Sequence, residues 1–333
     1  MMPPFFPILC IMFLTPPQRT CVESLGFAPP SHRRQRRRRH DDSTSTPDST
    51  STVARRLSNR KSADEADEIK YPTPKAWQCH GQSQEDMVLR LQEAGIIKSR
   101  AVLDIMSRVD RKHYVPMERD LKQARDKANT TIMAYLDRPL RIDNNQTISA
   151  PHAHAMALEL ILPSLEHNGA SNSRPIKILD VGCGSGYLTA CFGRLCDGGT
   201  ISKSILPFRG KVFGIDIHPK LVQLTTSNLE RQDGDLLKNG TITLQCGNGW
   251  VGLPKEAPFD AIHVGAAASQ LPTELALQLG LGGVLVVPVG QSGGVQALLK
   301  VQRVNTTSAS KFVWNDYHVE RWGGVRYVPL IHS

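Results

Sequence analysis

The 333-residue chain is poor in aromatic residues, which make up only 6% of it. It also lacks an apolar run long enough to cross a bilayer, which takes about 20 residues. The best candidate, Phe5 to Leu14, is shorter and is interrupted by Pro7. No two of the seven cysteines stand at CxxC spacing, so a structural zinc site has little support. Two of them, Cys10 and Cys21, lie near the start; the other five are odd in number, and one, Cys183, sits inside a glycine turn. Reduced thiols in a non-oxidising compartment are therefore expected. There is no internal repeat. There is also no basic patch interleaved with aromatics, which argues against a dedicated binder of single-stranded nucleic acid.

What is present is a globular balance of 40% apolar and 21% charged residues. The net charge is +9, and residues 1–70 contribute a disproportionate share, with 12 Lys/Arg against 8 Asp/Glu. That stretch opens with the Phe5–Leu14 run, passes through Ser24-Leu25-Gly26-Phe27-Ala28-Pro29-Pro30 and Arg33–Arg39, and then becomes Ser/Thr/Asp/Pro-rich from Asp41 to Thr52. Such a composition buries too little apolar surface to offset its ordering entropy. Residues 1–70 are expected to be a targeting leader and linker, with the folded domain in residues 71–333. The apolar-then-Phe-Ala-Pro order resembles the two-part presequences of algae whose plastids are entered through the endoplasmic reticulum. That resemblance implies a plastid destination, with the cytoplasm as the alternative; a nuclear-import signal is a further reading of the arginine cluster. Asn145-Gln146-Thr147 is a glycosylation acceptor pattern inside the candidate site, which argues against long residence in a glycosylating lumen.

From Trp77 the sequence becomes foldable. Ser83 with Asp86 three residues on reads as a helix start, with Gly95 as its stop. A second helix is expected over Arg100–Val109. Pro151 suits the first turn of a third helix running to about Leu165, because its missing donor would have no partner there. Short apolar runs then alternate with helical stretches: Ile176–Val181, Lys211–Ile217, Thr241–Cys246, Phe259–Val264, Gly283–Val289 and Ala297–Val304, with helices at 187–196, 219–231 and 271–279. This alternation predicts an α/β fold, a mostly parallel, doubly wound sheet with helices on both faces and added N-terminal helices. Residues 117–133 and 197–209 read as polar insertions.

The segment Leu179-Asp180-Val181-Gly182-Cys183-Gly184-Ser185-Gly186-Tyr187 is a strand ending in a glycine turn that opens a helix. Glycines there allow a tight turn and a close approach of backbone to ligand. The spacing is GxGxG, with Tyr187 where a dinucleotide fingerprint would have its third glycine. That suits S-adenosylmethionine, which has no pyrophosphate to rest on a helix end. Asp216 ends the next strand, where an acid commonly binds ribose hydroxyls, and Gly247-Asn248-Gly249 ends the one after. The three strand ends are expected to converge on one crevice.

Beyond this superfamily signal, the sequence resembles the protein-L-isoaspartate (D-aspartate) O-methyltransferases. The resemblance rests on Thr147-Ile148-Ser149-Ala150-Pro151-His152-Ala153-His154-Ala155. It is supported by Gly95-Ile96-Ile97-Lys98, Asp110–Tyr114, Tyr135-Leu136-Asp137, Ala257–Ala268 and Tyr327–Leu330, and it runs from about Trp77 to Leu330. It implies a Rossmann-like methyltransferase fold and S-adenosyl-L-methionine as methyl donor. The substrates it implies are peptides and proteins carrying L-isoaspartyl, and D-aspartyl, residues. Ser149 matches the active-site serine. Gln146, Thr147, Ile148, Ser149, His154, Asp180, Gly182, Gly184, Gly186, Asp216, Ile217, Asn248 and Gly249 match or adjoin positions lining the cofactor site. Asn248 departs from the family's usual Asp, though an amide oxygen can still accept a hydrogen bond.

The implied chemistry asks for alignment and water exclusion more than for a base, since a carboxylate is already ionised at neutral pH. Ser149 is expected to orient that carboxylate and not to attack. His152 and His154, two apart on a helix start, should point in different directions and make no metal site. No nucleic-acid or membrane partner of the mature form is expected, and the chain is expected to be monomeric. Two alternatives stand beside this reading: a methyltransferase of the same fold acting on a small molecule or nucleic acid, and a catalytically weak relative that binds isoaspartyl proteins as an adaptor.

Overall fold

A computed structural model describes residues 79–116, 133–171, 174–197, 209–308 and 310–332. Residues 1–70, expected above to be a leader, and most of both polar insertions lie outside these residues, as do 71–78. The expected domain start and targeting role therefore concern a region on which the structure is silent.

Helix α1 (Gln84–Glu93) begins as its cap signal predicts: Ser83 Oγ accepts the Asp86 amide at 3.2 Å. It buries Met87, Val88 and Leu91. Helix α2 (Arg100–Arg108) is capped by Ser99 in the same way. Strands β1 (Leu140–Arg141) and β2 (Thr147–Ile148) form a small antiparallel hairpin that the sequence reading did not foresee. Helix α3 runs from Pro151 to Ser171, past the expected end at Leu165 and through Pro163. Tertiary bonds hold the helix at and beyond that point: Ser164 Oγ donates to Gly282 O at 2.6 Å, and Asn168 Nδ2 to Asp260 Oδ1 at 3.0 Å. Near the middle of the helix, Glu159 Oε1 accepts the amides of Lys98 and Ser99 and the Ser99 hydroxyl, at 2.8–2.9 Å. This ties the N-terminal helices to α3.

The core is a seven-stranded sheet in the order β5-β4-β3-β6-β7-β8-β9. Its strands are β3 (Ile176–Val181), β4 (Gly210–Asp216), β5 (Ile242–Cys246), β6 (Phe259–Val264), β7 (Leu279–Val289), β8 (Gln296–Arg303) and β9 (Tyr317–Val325). β3 through β7 pair in parallel, and β8 and β9 add antiparallel strands at one edge. β9 was not anticipated, and β7 starts at Leu279 instead of Gly283. Leu279 pairs with Phe259 ahead of an irregularity in register, which accommodates the glycine-rich start of the strand.

Side chains alternate between two cores. Ile176, Ile178, Val212, Ala261 and Val286 face one side, with α1 to α3, α4 (Tyr187–Cys196), α5 (Pro219–Gln232) and the short α6 (Gly234–Lys238). Leu179, Val181, Ile215, Ile262 and Val287 face the other. That second face is covered more by loop than by helix. Its helix, α7 (Thr273–Leu277), is shorter than the expected 271–279, and Leu253, Trp250 and Tyr317 supply much of the remaining apolar cover. The chain leaves β3 towards β4 and β5, then returns to β6 on the opposite side. β3 and β6 are neighbours whose onward connections diverge, and a crevice opens at their carboxyl ends.

Candidate active site

The glycine turn after β3 is clamped onto β4. The amides of Gly182 and Cys183 both donate to Ile215 O, at 2.8 and 3.0 Å. Gly182, Gly184 and Gly186 all have positive φ, of 79°, 57° and 90°, a conformation that disfavours any side chain. From behind, α5 holds the turn: Thr225 Oγ1 donates to Gly184 O at 2.9 Å and Asn228 Nδ2 to Ser185 O at 2.8 Å. A Cβ on Gly186 would stand 2.8 Å from Thr225 Cγ2, so this glycine serves helix packing and does not line the cleft.

An outer cleft, open to solvent, lies over this turn. Gly182, Gly184, Asp216, Ile217, Gly249, Gln146 and Thr147 line it, seven of the positions expected from sequence. Asp216 is only 6% exposed. Its carboxylate accepts the amides of His218 at 3.0 Å and Gly184 at 3.2 Å. Burial raises its pKa, and these two amides partly counter the rise. Asn248 does not line the cleft. Its Oδ1 accepts the Trp250 amide at 2.9 Å, closing the turn after β5.

The roof comes from two segments, of which sequence reasoning assigned only Gln146 and Thr147 to the site. Ile142 precedes a turn in which Asn144 and Asn145 both take φ of 57°, a conformation asparagine tolerates better than most residues. That turn folds Gln146 and Thr147 back over the glycines. The second segment is Val328–Ile331, all four residues of which line the cleft. Backbone bonds secure it: Ala267 N to Val328 O at 2.7 Å and Leu330 N to Ala267 O at 2.8 Å. Trp250 Nε1 also donates to Leu330 O, at 3.1 Å.

A smaller inner pocket adjoins the cleft and shares Thr147, Gly182, Gly184 and Gly265 with it. Ile148, Ser149, His154 and Asp180 line this pocket, together with His263. Ser149 is half-buried between β2 and α3. Asp180 is 1% exposed and uses both oxygens: Thr189 Oγ1 donates to one at 2.6 Å, and His263 Nδ1 lies 2.8 Å from the other.

The two histidines of α3 part company, as their spacing predicts. His152 packs against Asp137, with Nδ1 at 2.7 Å and its backbone amide at 3.0 Å from Oδ1. His154 faces the inner pocket, with its Nδ1 3.3 Å from Arg111 Nη1. Burial, and then the Arg111 charge, hold the His154 pKa well below the usual imidazole value, so the ring is neutral near pH 7. Arg111, fully buried, is itself lowered to about 10 by desolvation and stays charged. The five described cysteines are free thiols, and four of them are buried.

The residues fit a nucleoside joined to an amino-acid chain. A carboxylate and apolar walls occupy the outer cleft, a side-chain-free glycine floor connects the two spaces, and polar groups cluster in the inner one. Comparison with known proteins agrees with this arrangement. The chain is 38% identical over 245 residues to protein-L-isoaspartate O-methyltransferase 2 of Arabidopsis thaliana, covering 73% of this chain and 66% of that one. It is 32% identical to the protein-L-isoaspartate O-methyltransferase of Caenorhabditis elegans, covering 77% of this chain and 95% of the relative. A Plasmodium falciparum crystal structure described as a protein-L-isoaspartate O-methyltransferase in complex with S-adenosyl-L-homocysteine superposes with a TM-score of 0.59. It is 29% identical, and the superposition covers 75% of this chain and 99% of that one. The profile of one family matches residues 82–333, and by that match the chain belongs to the protein-L-isoaspartate(D-aspartate) O-methyltransferases.

Proposed function

We propose that this protein transfers a methyl group from S-adenosyl-L-methionine to the free α-carboxylate of L-isoaspartyl residues in damaged peptides and proteins. The observation that carries this reading is the placement of Ser149 in an inner pocket that opens into a glycine-floored cofactor cleft.

The cofactor supplies a methyl group on a sulfonium centre. The outer cleft would hold its nucleoside, with the Asp216 carboxylate available to accept from ribose hydroxyls and Ile142, Ile217 and Leu330 supplying apolar wall. The inner pocket receives the substrate carboxylate, which needs no deprotonation at neutral pH. Ser149 Oγ donates one hydrogen bond to it and sets its angle of approach. Because His154 is neutral, it adds no positive charge that would damp the nucleophile. The buried setting excludes water, which favours alignment of the two reactants. The methyl ester has a better leaving group than the free acid, so the neighbouring amide re-forms a succinimide, part of which opens to normal aspartate. D-Aspartyl residues are proposed as secondary substrates. Plastid delivery by residues 1–70 is likewise a proposal, to be checked by fusing that segment to a fluorescent protein.

The test uses two peptides differing only in Asp or isoAsp at one residue. Base-labile methyl ester should form on the isoaspartyl peptide alone. Ser149→Ala should lower kcat about tenfold or more, as loss of a hydrogen bond to a charged group does, and leave S-adenosylhomocysteine affinity within about twofold. Equal methylation of both peptides would defeat the reading.

A further inference from the structure

His263 has no role in the methyl transfer proposed above, yet it lines the same inner pocket as Ser149. Its position follows from topology. In the parallel pairing of β3 and β6, Asp180 stands directly beside His263, and both side chains leave the sheet on the face that carries α3 and α4. Thr189, at the start of α4, donates to Asp180 Oδ2. The other carboxylate oxygen takes His263 Nδ1 at 2.8 Å. A carboxylate only accepts, so Nδ1 carries a proton, and the neutral tautomer that this contact selects presents a lone pair at Nε2. Among the described residues Nε2 has no hydrogen-bond partner, and the side chain is 9% exposed, through the pocket.

We infer that His263 is a specificity-determining residue whose Nε2 accepts a hydrogen bond from the backbone N–H of the isoaspartyl residue, while Ser149 engages its carboxylate. This rests on the methyltransferase reading above and deepens it. In an isoaspartyl residue the free carboxylate and the amide nitrogen are attached to the same carbon. In a normal aspartyl residue a methylene intervenes. A donor and an acceptor held in one small pocket thus gauge the distance between carboxylate and amide, and they reject L-aspartate and make D-aspartate, which has the same extra methylene, the poorer substrate, without contacting any neighbouring side chain. An acceptor suits the nitrogen and would repel a second carboxylate, so the two groups cannot exchange roles. Buried polar groups left unpaired by the wrong substrate make such discrimination steep.

The experiment replaces the isoaspartyl N–H by an ester oxygen, which keeps the shape and removes the donor. Wild-type kcat/KM should fall about tenfold on the ester-linked peptide, the scale of one lost hydrogen bond in a closed site. His263→Asn keeps a donor to Asp180 but has nothing at the Nε2 position. It should lose a similar factor on the ordinary isoaspartyl peptide and nothing further on the ester, with S-adenosylhomocysteine affinity unchanged. Wild-type enzyme that handles both peptides equally overturns the inference, even if the variant fails to fold. So does a variant that loses cofactor affinity and keeps its peptide KM. If wild-type enzyme methylates no isoaspartyl peptide at all, the inference falls together with the reading beneath it, a result distinct from either of these.

Discussion

Removing the Asp260 carboxylate should loosen the whole fold. Asp260 is fully buried at the entry end of β6. It accepts from Arg174 Nη1 and Nη2 at 2.9 and 2.8 Å, from the Lys177 amide at 2.8 Å and from Asn168 Nδ2 at 3.0 Å. One side chain thereby joins α3, the start of β3 and β6. Asp260→Ala would leave the Asn168 amide and the Lys177 N–H without their acceptor, and strand a guanidinium. Breaking a buried ion pair from one side costs about 3–5 kcal/mol. The Arg174 side chain is 35% exposed, so water can take over part of its role. The lower half of the range, about 3–4 kcal/mol, is therefore expected. For a domain of this size each kcal/mol shifts Tm by about 2–4 °C, so the melting point should fall by about 6–16 °C. Asp260→Asn, which keeps an acceptor, should fall by about half as much. Thermal melts followed by circular dichroism would measure both. Activity at low temperature should survive, since the pocket lies at the opposite end of the strand. A shift below about 2 °C for the alanine variant would mean that the carboxylate is not the junction described, because loss of a buried pair cannot be that small.

Asp216 gives a pH prediction. Its folded pKa is raised by burial, and ribose hydroxyls bind the ionised form, so S-adenosylhomocysteine affinity should decline on acidification from a pH above the ordinary carboxylate range. The same shift works the other way on the empty protein, because a raised acid pKa favours the folded state as the proton is taken up. Calorimetric titrations across pH would show the decline, and its persistence in Asp216→Asn would assign it elsewhere. Gly249→Ala would place a Cβ 2.7 Å from Val181 Cγ1 and 2.8 Å from Leu330 Cδ1. Overpacking of this kind costs about 1–3 kcal/mol. Because Leu330 is part of the cleft roof, product affinity should drop along with Tm; unchanged affinity would show that the roof adapts freely.

Much of this structure was legible beforehand, where local pattern and tertiary need agree. β3, β6 and α4 have the bounds that their apolar runs and the glycine turn predicted. Ser149, Asp180 and Asp216 line the two spaces and could be singled out beforehand because strand ends and a distinctive segment mark them. β9 escaped because Glu320, Arg321 and a pair of glycines break its alternation, and β8 supplies the pairing that makes it a strand. The two-residue strands of the hairpin are too short to carry any period. α3 ran on because Ser164 and Asn168 gain partners on β6 and β7 that no local pattern reveals. Asn248 was expected to face the cofactor, yet its oxygen caps the turn after its own strand. His263 lies in an apolar strand and gains meaning only through its register with Asp180, which depends on strand order.

The cleft roof at Val328–Ile331 also bears on how the protein is made. Every strand of the sheet precedes it in the chain. During synthesis the glycine turn and Asp216 emerge more than a hundred residues before the wall that completes their cleft. A ribosome-bound chain can therefore assemble most of its sheet and still lack a closed site for the cofactor. A product clipped just after β9 would keep a full complement of strands and much of its apolar core, and would be hard to tell from intact protein by its fold. It would differ in losing the stabilisation that bound cofactor lends, which leaves ligand-dependent protection from proteolysis as the property separating finished molecules from unfinished ones.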